Sequence, residues 1–285
     1  MATVLPSNLL PPAFQPGTVW LAGAGPGDPG LLTLHALHAL TQADVVLHDA
    51  LVPEAILSLA PQARLEPAGK RAGGKRTPQL RINQRLIELA RLGLRVLRLK
   101  GGDPLVFGRG GEEALALAAA GIAFRIIPGV SAGIGGTAAA SIPLTHRELG
   151  RSVAFATGHD SHGGLADIDW ASLARGAEVL VLYMAGRQIG AIAQRLIAAG
   201  RDPKEPVALI ASATTAAQTV RVTTLAEASA AAVTLPDGAP ILIVAGPVVA
   251  LRPLLAAWQQ TEPMTFVSPD LESNAPDVTL SRAHG

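Results

Sequence analysis

Short apolar runs bounded by glycine-rich loops alternate along this chain with longer stretches whose leucines and alanines recur at helical spacing. Residues 18–22 form the first such run, and Leu34, Leu37 and Leu40 mark a helix over 31–43. Further strands are predicted at 45–47, 64–67, 95–99 and 124–127, with helices at 79–92 and in the alanine-rich 114–120. Strand and helix in strict alternation predict a mainly parallel sheet over this part. A second α/β block follows, with strands at 153–156, 178–184, 207–211, 220–223 and 241–245, a helix at 189–199 and a closing helix at 251–260. The boundaries that result are a flexible leader at 1–16, an N-terminal α/β domain at 17–127, a linker region at 128–150 and a C-terminal α/β domain at 151–262. Residues 263–285 are polar and without period, and are read as a loose tail.

Two loops draw the chemistry. The run Val96, Leu97, Leu99 stops at Gly101-Gly102-Asp103-Pro104, and Arg109-Gly-Gly-Glu112-Glu113 then opens a helix. In open α/β sheets ligands bind beyond the carboxyl ends of strands. Gly101 and Gly102 let a backbone approach a ligand closely, and Asp103 can accept hydrogen bonds from a hydroxylated or cationic one. The first loop, Gly23-Ala-Gly-Pro-Gly-Asp-Pro-Gly30, resembles a dinucleotide fingerprint only loosely. Pro26 and Pro29 have no amide to donate, which makes the loop a poor pyrophosphate cradle and counts against a nicotinamide cofactor. The small residues from Pro128 through Ser131 and Ala132 to Gly136 suggest close backbone packing over a ligand or a neighbouring element.

Composition narrows the class. Hydrophobic residues make up 49% of the 285 residues and aromatic ones only 3%, as layered α/β packing by Ala, Leu, Val and Gly requires. There is no cysteine, which fits a reducing compartment. The N-terminus lacks a basic region followed by a long apolar core, and no apolar run is long enough to span a bilayer. A cytoplasmic protein is expected, without a membrane partner. Charge is segregated: Arg64 to Arg109 holds twelve basic residues against three acidic ones, and the remainder eleven against nineteen. That surplus suggests an anionic ligand. With few aromatics to stack on bases, nucleic acid is the weaker candidate.

Taken together and in order, Val19 to Thr33, His48-Asp-Ala-Leu-Val52, Gly69-Lys-Arg71, Leu97 to Pro104, Phe107 to Glu113, Pro128 to Gly133, Pro143-Leu-Thr-His-Arg147 and Thr157-Gly-His159 resemble the tetrapyrrole methylases. The Gly-Lys-Arg and Arg-Gly-Gly-Glu-Glu elements point to the branch that acts on uroporphyrinogen III. The resemblance covers roughly residues 17–258. It implies two αβα domains with the active site in the cleft between them, usually in a homodimer. It also implies S-adenosylmethionine-dependent C-methylation of uroporphyrinogen III at C2 and C7. The product would be precorrin-2, reached through precorrin-1, with S-adenosylhomocysteine released and no metal needed. Cobalamin, sirohaem and haem d1 synthesis can each use that product.

The same resemblance assigns residues. Asp49 is the expected proton acceptor and Lys70 the proton donor. Pro26, Gly101, Gly102, Asp103, Val106, Ser131, Ala132, Met184 and Ala213 are expected around the methyl donor, many through backbone groups. Ser131, Leu105 and Ala213 stand where relatives often carry Thr, Phe and Gly. Arg109, Glu112, Arg147 and His159 are expected at the polycarboxylate substrate, with the arginines offering bidentate contacts and Glu112 accepting from pyrrole N–H groups or orienting Arg109. His35 and His38 on one helix, and the His159 to His162 loop, lack the partner set of a metal site. Two alternatives stay open: a tetrapyrrole methylase acting on a later corrin intermediate, and an RNA-binding protein using the basic face.

Overall fold

A computed structural model describes residues 12–68, 78–160 and 163–259. Within it the first half is built from β1 (Val19–Gly23), α1 (Leu34–Gln42), β2 (Val45–His48), α2 (Glu54–Leu57), β3 (Arg64–Pro67), α3 (Gln79–Arg91), β4 (Val96–Lys100), α4 (Gly110–Ala119) and β5 (Phe124–Ile127). The five strands form a wholly parallel sheet in the order β3-β2-β4-β1-β5. Both central strands, β1 and β4, are buried along their whole length, because helices cover both faces. Alternate residues Trp20, Ala22, Leu97 and Leu99 meet α1, while Val19, Leu21 and Val96 meet α3 and α4. Each leucine so buried contributes about 1.5–3 kcal/mol. Helix α1 begins three residues later than its apolar spacing suggests. Asp28 first closes a tight turn by accepting from the Gly30 amide at 2.7 Å, and Thr33 then caps α1 by accepting from the Ala36 amide at 3.2 Å. Within the stretch expected to be a flexible leader, Phe14 is buried and stacks on Trp20 with ring centroids 4.3 Å apart.

The second half comprises α5 (Ala132–Ala139), β6 (Val153–Thr157), α6 (Trp170–Gly176), β7 (Val179–Tyr183), α7 (Ile189–Ala198), β8 (Pro206–Ala211), β9 (Thr219–Thr224), α8 (Ala228–Val233), β10 (Ile241–Ala245) and α9 (Arg252–Ala256). Its sheet runs β6-β7-β10-β8-β9 and is mixed, with only β6 and β7 parallel. One face packs on α6, α7 and α8; the other holds Ile142, Val248 and Val249 against Val181, Ile210 and Val244. The closing helix starts one residue later than expected, after a 3-10 turn from Pro247 to Leu251, and is shorter, ending at Ala256. Among the described residues no helix is long and apolar enough to cross a membrane.

Part of the basic surplus is internal. Arg85 and Arg64 both pair with Glu66, each at 2.8–2.9 Å, and Arg95 grips Asp44 with Nη2 at 2.7 Å and Nε at 3.0 Å. The hydrogen bonds from Arg95 hold the Asp44 carboxyl below its ordinary value. A carboxyl depressed on folding adds stability above the ordinary value of about 4, and that stability disappears as pH falls through the folded value. Asp44→Asn is therefore expected to lower the melting temperature at neutral pH and to flatten the fall in melting temperature below about pH 4. The pair is partly exposed, so the neutral-pH loss should stay near or below about 1 kcal/mol. A pH series of thermal melts checks both, and an unchanged acid limb would contradict the assignment.

Candidate active site

All five strands of the first sheet point their carboxyl ends to one edge, and the loops that follow them meet there. The loop after β1 zips onto the loop after β4. Ala24 donates to the Lys100 carbonyl at 2.7 Å, and Gly25 and Gly102 exchange backbone hydrogen bonds at 3.2 and 2.7 Å. Both glycines sit at left-handed φ, +74° and +66°, which a side-chain-bearing residue adopts only with strain. The Gly25 amide is thus engaged by backbone, and the Asp28 amide donates to Thr214 Oγ1 at 3.1 Å. These engagements leave the loop unable to wrap a pyrophosphate, in keeping with its prolines.

Asp103 fastens the next pair of loops. Its Oδ1 accepts from the Leu105 amide at 2.8 Å and its Oδ2 from the Gly129 amide at 3.1 Å. The β4–α4 loop is thereby bolted to the β5–α5 loop, and Ser131 and Ala132 are carried beside Gly102. Each carboxylate oxygen still has a lone pair for a ligand hydroxyl. The small residues of α5 serve two neighbours. A Cβ on Gly133 would lie 2.2 Å from Tyr183 Oη, and one on Gly135 would lie 2.9 Å from Pro26 Cγ. A Cβ on Gly136 would lie 2.9 Å from the Ala213 methyl. Pro26, Gly101, Gly102, Asp103, Ser131, Ala132 and Ala213 are thus gathered where loops of the two halves meet around α5. Met184 follows the end of β7 and is exposed, and Val106 lies half-buried in the β4–α4 loop.

Tyr183 was not singled out from the sequence, although it is the chain's one tyrosine. Its Oη lies 2.6 Å from Ser131 Oγ and accepts from the Gly133 amide at 2.7 Å. Burial pushes its phenol above the ordinary range. The ring packs against Phe107 at 4.8 Å and, edge-on, against Phe155 at 6.0 Å. Phe107 belongs to the first half and Tyr183 to the second, so this contact ties the halves across the cleft. Among the described residues, five of the six non-glycine residues with left-handed backbone lie in these loops: Phe107, Arg109, Met184, Ser212 and Thr214. Backbone strain of this sort collects at functional sites.

Asp49 follows β2 directly. Its amide donates to the Leu99 carbonyl at 3.0 Å, and its side chain is about one-third exposed. Arg98 Nη2 donates to Asp49 Oδ1, and Lys100 Nζ stands 3.9 Å from Oδ2. Burial and the neighbouring Arg98 charge lower the Lys100 amine, against the pull of Asp49 and Glu113. Neither Arg98 nor Lys100 was expected inside; both had counted toward the basic surplus.

Arg109 caps α4 in the left-handed region and pairs with Glu112 at 3.1 Å, both groups remaining more than half exposed. Burial would raise the Glu112 carboxyl, but the hydrogen bond from Arg109 and the local backbone bring it below its ordinary value. Of the two roles expected for Glu112, orienting Arg109 is the one this contact serves. The second half carries Arg147 and His159. Arg147 lies exposed between His146 and Gly150, which exchange backbone hydrogen bonds, and His159 bridges to Leu165 just after β6. Neither forms an ion pair among the described residues. Lys70, Arg71, Lys75, Arg76 and His162 lie outside the described residues. No cluster of three or more His, Asp or Glu is placed to hold a metal ion among the described residues.

The loops that meet at this edge hold the motifs by which the chain resembles the tetrapyrrole methylases, and comparison with known proteins shows the family. The profile of the tetrapyrrole (corrin/porphyrin) methylases matches residues 18–229, and the chain belongs to that family. It is 59% identical over 247 residues to a uroporphyrinogen-III C-methyltransferase from Sinorhizobium sp., an alignment covering 86% of this chain and 88% of that one. A siroheme synthase from Neisseria meningitidis is 51% identical over 244 residues; the chain spans about half its length, 50%, against 85% of its own. Among solved structures, uroporphyrin-III C-methyltransferase from Thermus thermophilus complexed with S-adenyl homocysteine superposes with a TM-score of 0.72 at 39% identity, covering 82% of this chain and 99% of that one.

Proposed function

We propose that this chain is an S-adenosylmethionine-dependent methyltransferase that methylates uroporphyrinogen III at C2 and C7, giving precorrin-2 by way of precorrin-1. The observation that carries the reading is the shared edge at which a close-packed, side-chain-poor cleft (Pro26, Gly101 to Asp103, Ser131, Ala132, Ala213) lies in the same loop system as the Asp49 carboxylate and the Arg109–Glu112 pair. The residues present suit the methyl donor. The Gly101 Cβ position meets nothing nearer than 3.7 Å, which leaves room for a ligand against the backbone, and Asp103 offers acceptors for hydroxyls. When bound, the donor supplies an already activated sulfonium methyl group. The chain's own work is positioning and proton handling. Holding a nucleophilic carbon in line with an electrophile can supply much of a rate, and a pyrrole ring that has gained a methyl carries a positive charge until a proton leaves another position of the macrocycle, for which Asp49 is the carboxylate at hand. Lys70 is the proposed proton donor. Arg109, oriented by Glu112, and Arg147 hold substrate carboxylates through guanidinium forks, with His159 beside them, while Val106 and Met184 complete the donor pocket.

The chain works in the cytoplasm as two α/β domains, 17–127 and 151–262, joined through 128–150, and as a homodimer. The dimer reading is supported by an apolar groove of about 600 Å³ lined by Ile134, Pro143, Leu144, Leu255 and Trp258, since exposed apolar patches mark association sites. Incubation with uroporphyrinogen III and methyl-labelled S-adenosylmethionine is expected to place first one and then two labels on the tetrapyrrole, read by mass. Label appearing only on a later corrin intermediate would reassign the substrate; donor binding with no ring product at all would refute the reading.

A further inference from the structure

A charged cluster lies beneath Asp49 that proton transfer as described above does not use. Val96, Arg98 and Lys100 share one face of β4 and point at α3 and α4. Period-two alternation normally places apolar side chains at such positions. Instead the Arg98 and Lys100 side chains are each 2% exposed, and Glu113 from the first turn of α4 meets them at 0% exposure. Glu113 Oε1 accepts from Arg98 Nε at 3.1 Å, Lys100 Nζ at 3.0 Å and Gln79 Nε2 at 3.1 Å. Arg98 Nη1 donates to the carbonyls of Leu47 and Leu99, both at 3.3 Å, and Nη2 reaches Asp49. Apolar residues of similar volume would serve a buried sheet face at least as well, since desolvating ions is costly. Stability therefore does not account for the cluster.

We infer that Arg98 is a positioning residue for Asp49, and that Glu113 is the anchor that fixes the Arg98 guanidinium. The inference rests on the reading of Asp49 as proton acceptor. The geometry carries it: one rigid planar fork is held at Nε by α4 and at Nη1 by two backbone carbonyls, which leaves Nη2 a single direction, toward Asp49. A lysine ammonium is a point charge and cannot hold both ends at once. The carboxylate that takes the proton is thereby set by the same helical turn that carries Arg109 and Glu112 at the substrate. Adjacent residues of that turn face opposite ways, Glu112 outward to Arg109 and Glu113 inward to Arg98.

The test uses the full chain and two variants that keep the charge balance, Arg98→Lys and Glu113→Asp. Each is expected to lower kcat by about 10- to 100-fold while KM for uroporphyrinogen III and Kd for S-adenosylmethionine stay within about twofold, the split left by an interaction that acts on the chemical step. Introduced into an Asp49→Asn chain, either change should slow the residual rate by less than about twofold, because both act through the same carboxylate. Unchanged kcat in either folded single variant overturns the inference, as does a full additional loss in the Asp49→Asn background. Thermal melts identify a variant that does not fold, and the other then decides. If Asp49→Asn alone keeps the full rate, the acceptor reading fails and takes this inference with it. A slow Asp49→Asn beside a fully active Arg98→Lys rejects only the inference.

Discussion

Asp49→Asn is expected to cut kcat by about 10²- to 10⁴-fold while leaving S-adenosylmethionine affinity within about twofold of the unaltered chain. The substitution is nearly isosteric, and its amide oxygen still accepts from Arg98 Nη2, so the end of β2 keeps its place. What it loses is the capacity to accept a proton. The donor pocket proposed above draws on other loops, Gly101 to Asp103 and Ser131 to Ala132, which are tied together without the Asp49 side chain. A cost to the fold is also expected, because among the described residues Arg98 and Lys100 are then left with Glu113 as their one carboxylate. Weakening a hydrogen bond to buried charge costs roughly 1–3 kcal/mol. Single-turnover transfer of labelled methyl, calorimetric titration with the donor and a thermal melt separate the three effects. A folded Asp49→Asn chain that no longer binds the donor would show that the carboxylate belongs to the donor pocket.

Asp103→Ala should do the reverse. Its carboxylate holds two backbone amides, Leu105 and Gly129, and so ties the β4–α4 loop to the β5–α5 loop. A hydrogen bond to a charged group contributes about 1.5–3 kcal/mol, and the loss of two should weaken donor binding by about 100-fold or more. The turnover rate at saturating donor should suffer less, since Asp49 stands just after β2, outside this tie. Asp103→Asn keeps one acceptor and is expected to fall between. Donor titration by calorimetry checks the order, and equal affinity in all three chains would show that the loops hold without the carboxylate.

The sheet of the first half was legible because its strands alternate with helices of clear leucine spacing, and because β1 and β4 stop at glycines. The Gly101 to Asp103 turn was legible for the same reason, since few sequences stop an apolar run so abruptly. The mixed sheet of the second half could be read as strands but not as pairings, because nothing local says which way a strand runs. Helices α2, α5, α6 and α8 carry no clear period in the sequence, α2 and α6 because they are short and α5 and α8 because small residues give little polar contrast. Arg98 and Lys100 misled for a physical reason. Alternation of apolar and basic residues along 96–100 has the look of a strand with one wet face, and only the packing of α4 reveals that Glu113 covers it. Left-handed Phe107 and Arg109 likewise carry no mark in the sequence, since glycine is the usual signal for that conformation. The Phe107–Tyr183 tie spans more than seventy residues of sequence and needs the fold to be seen.

The glycines where the first, fourth and fifth strand loops converge have a consequence for how such a pocket can be altered. A Cβ on Gly23 would stand 2.3 Å from the Gly102 carbonyl oxygen and 2.6 Å from Gly129 Cα, and one on Gly129 would stand 2.3 Å from that same oxygen. Backbone lies against backbone there, and no rotamer can relieve the overlap. This backbone junction is therefore closed to variation, whether by drift or by design. If the proposed donor pocket stands there, a change in which donor analogue is accepted has to come from neighbouring side chains such as Val106 and Met184, and a mutant library aimed at a new donor should leave these glycines alone.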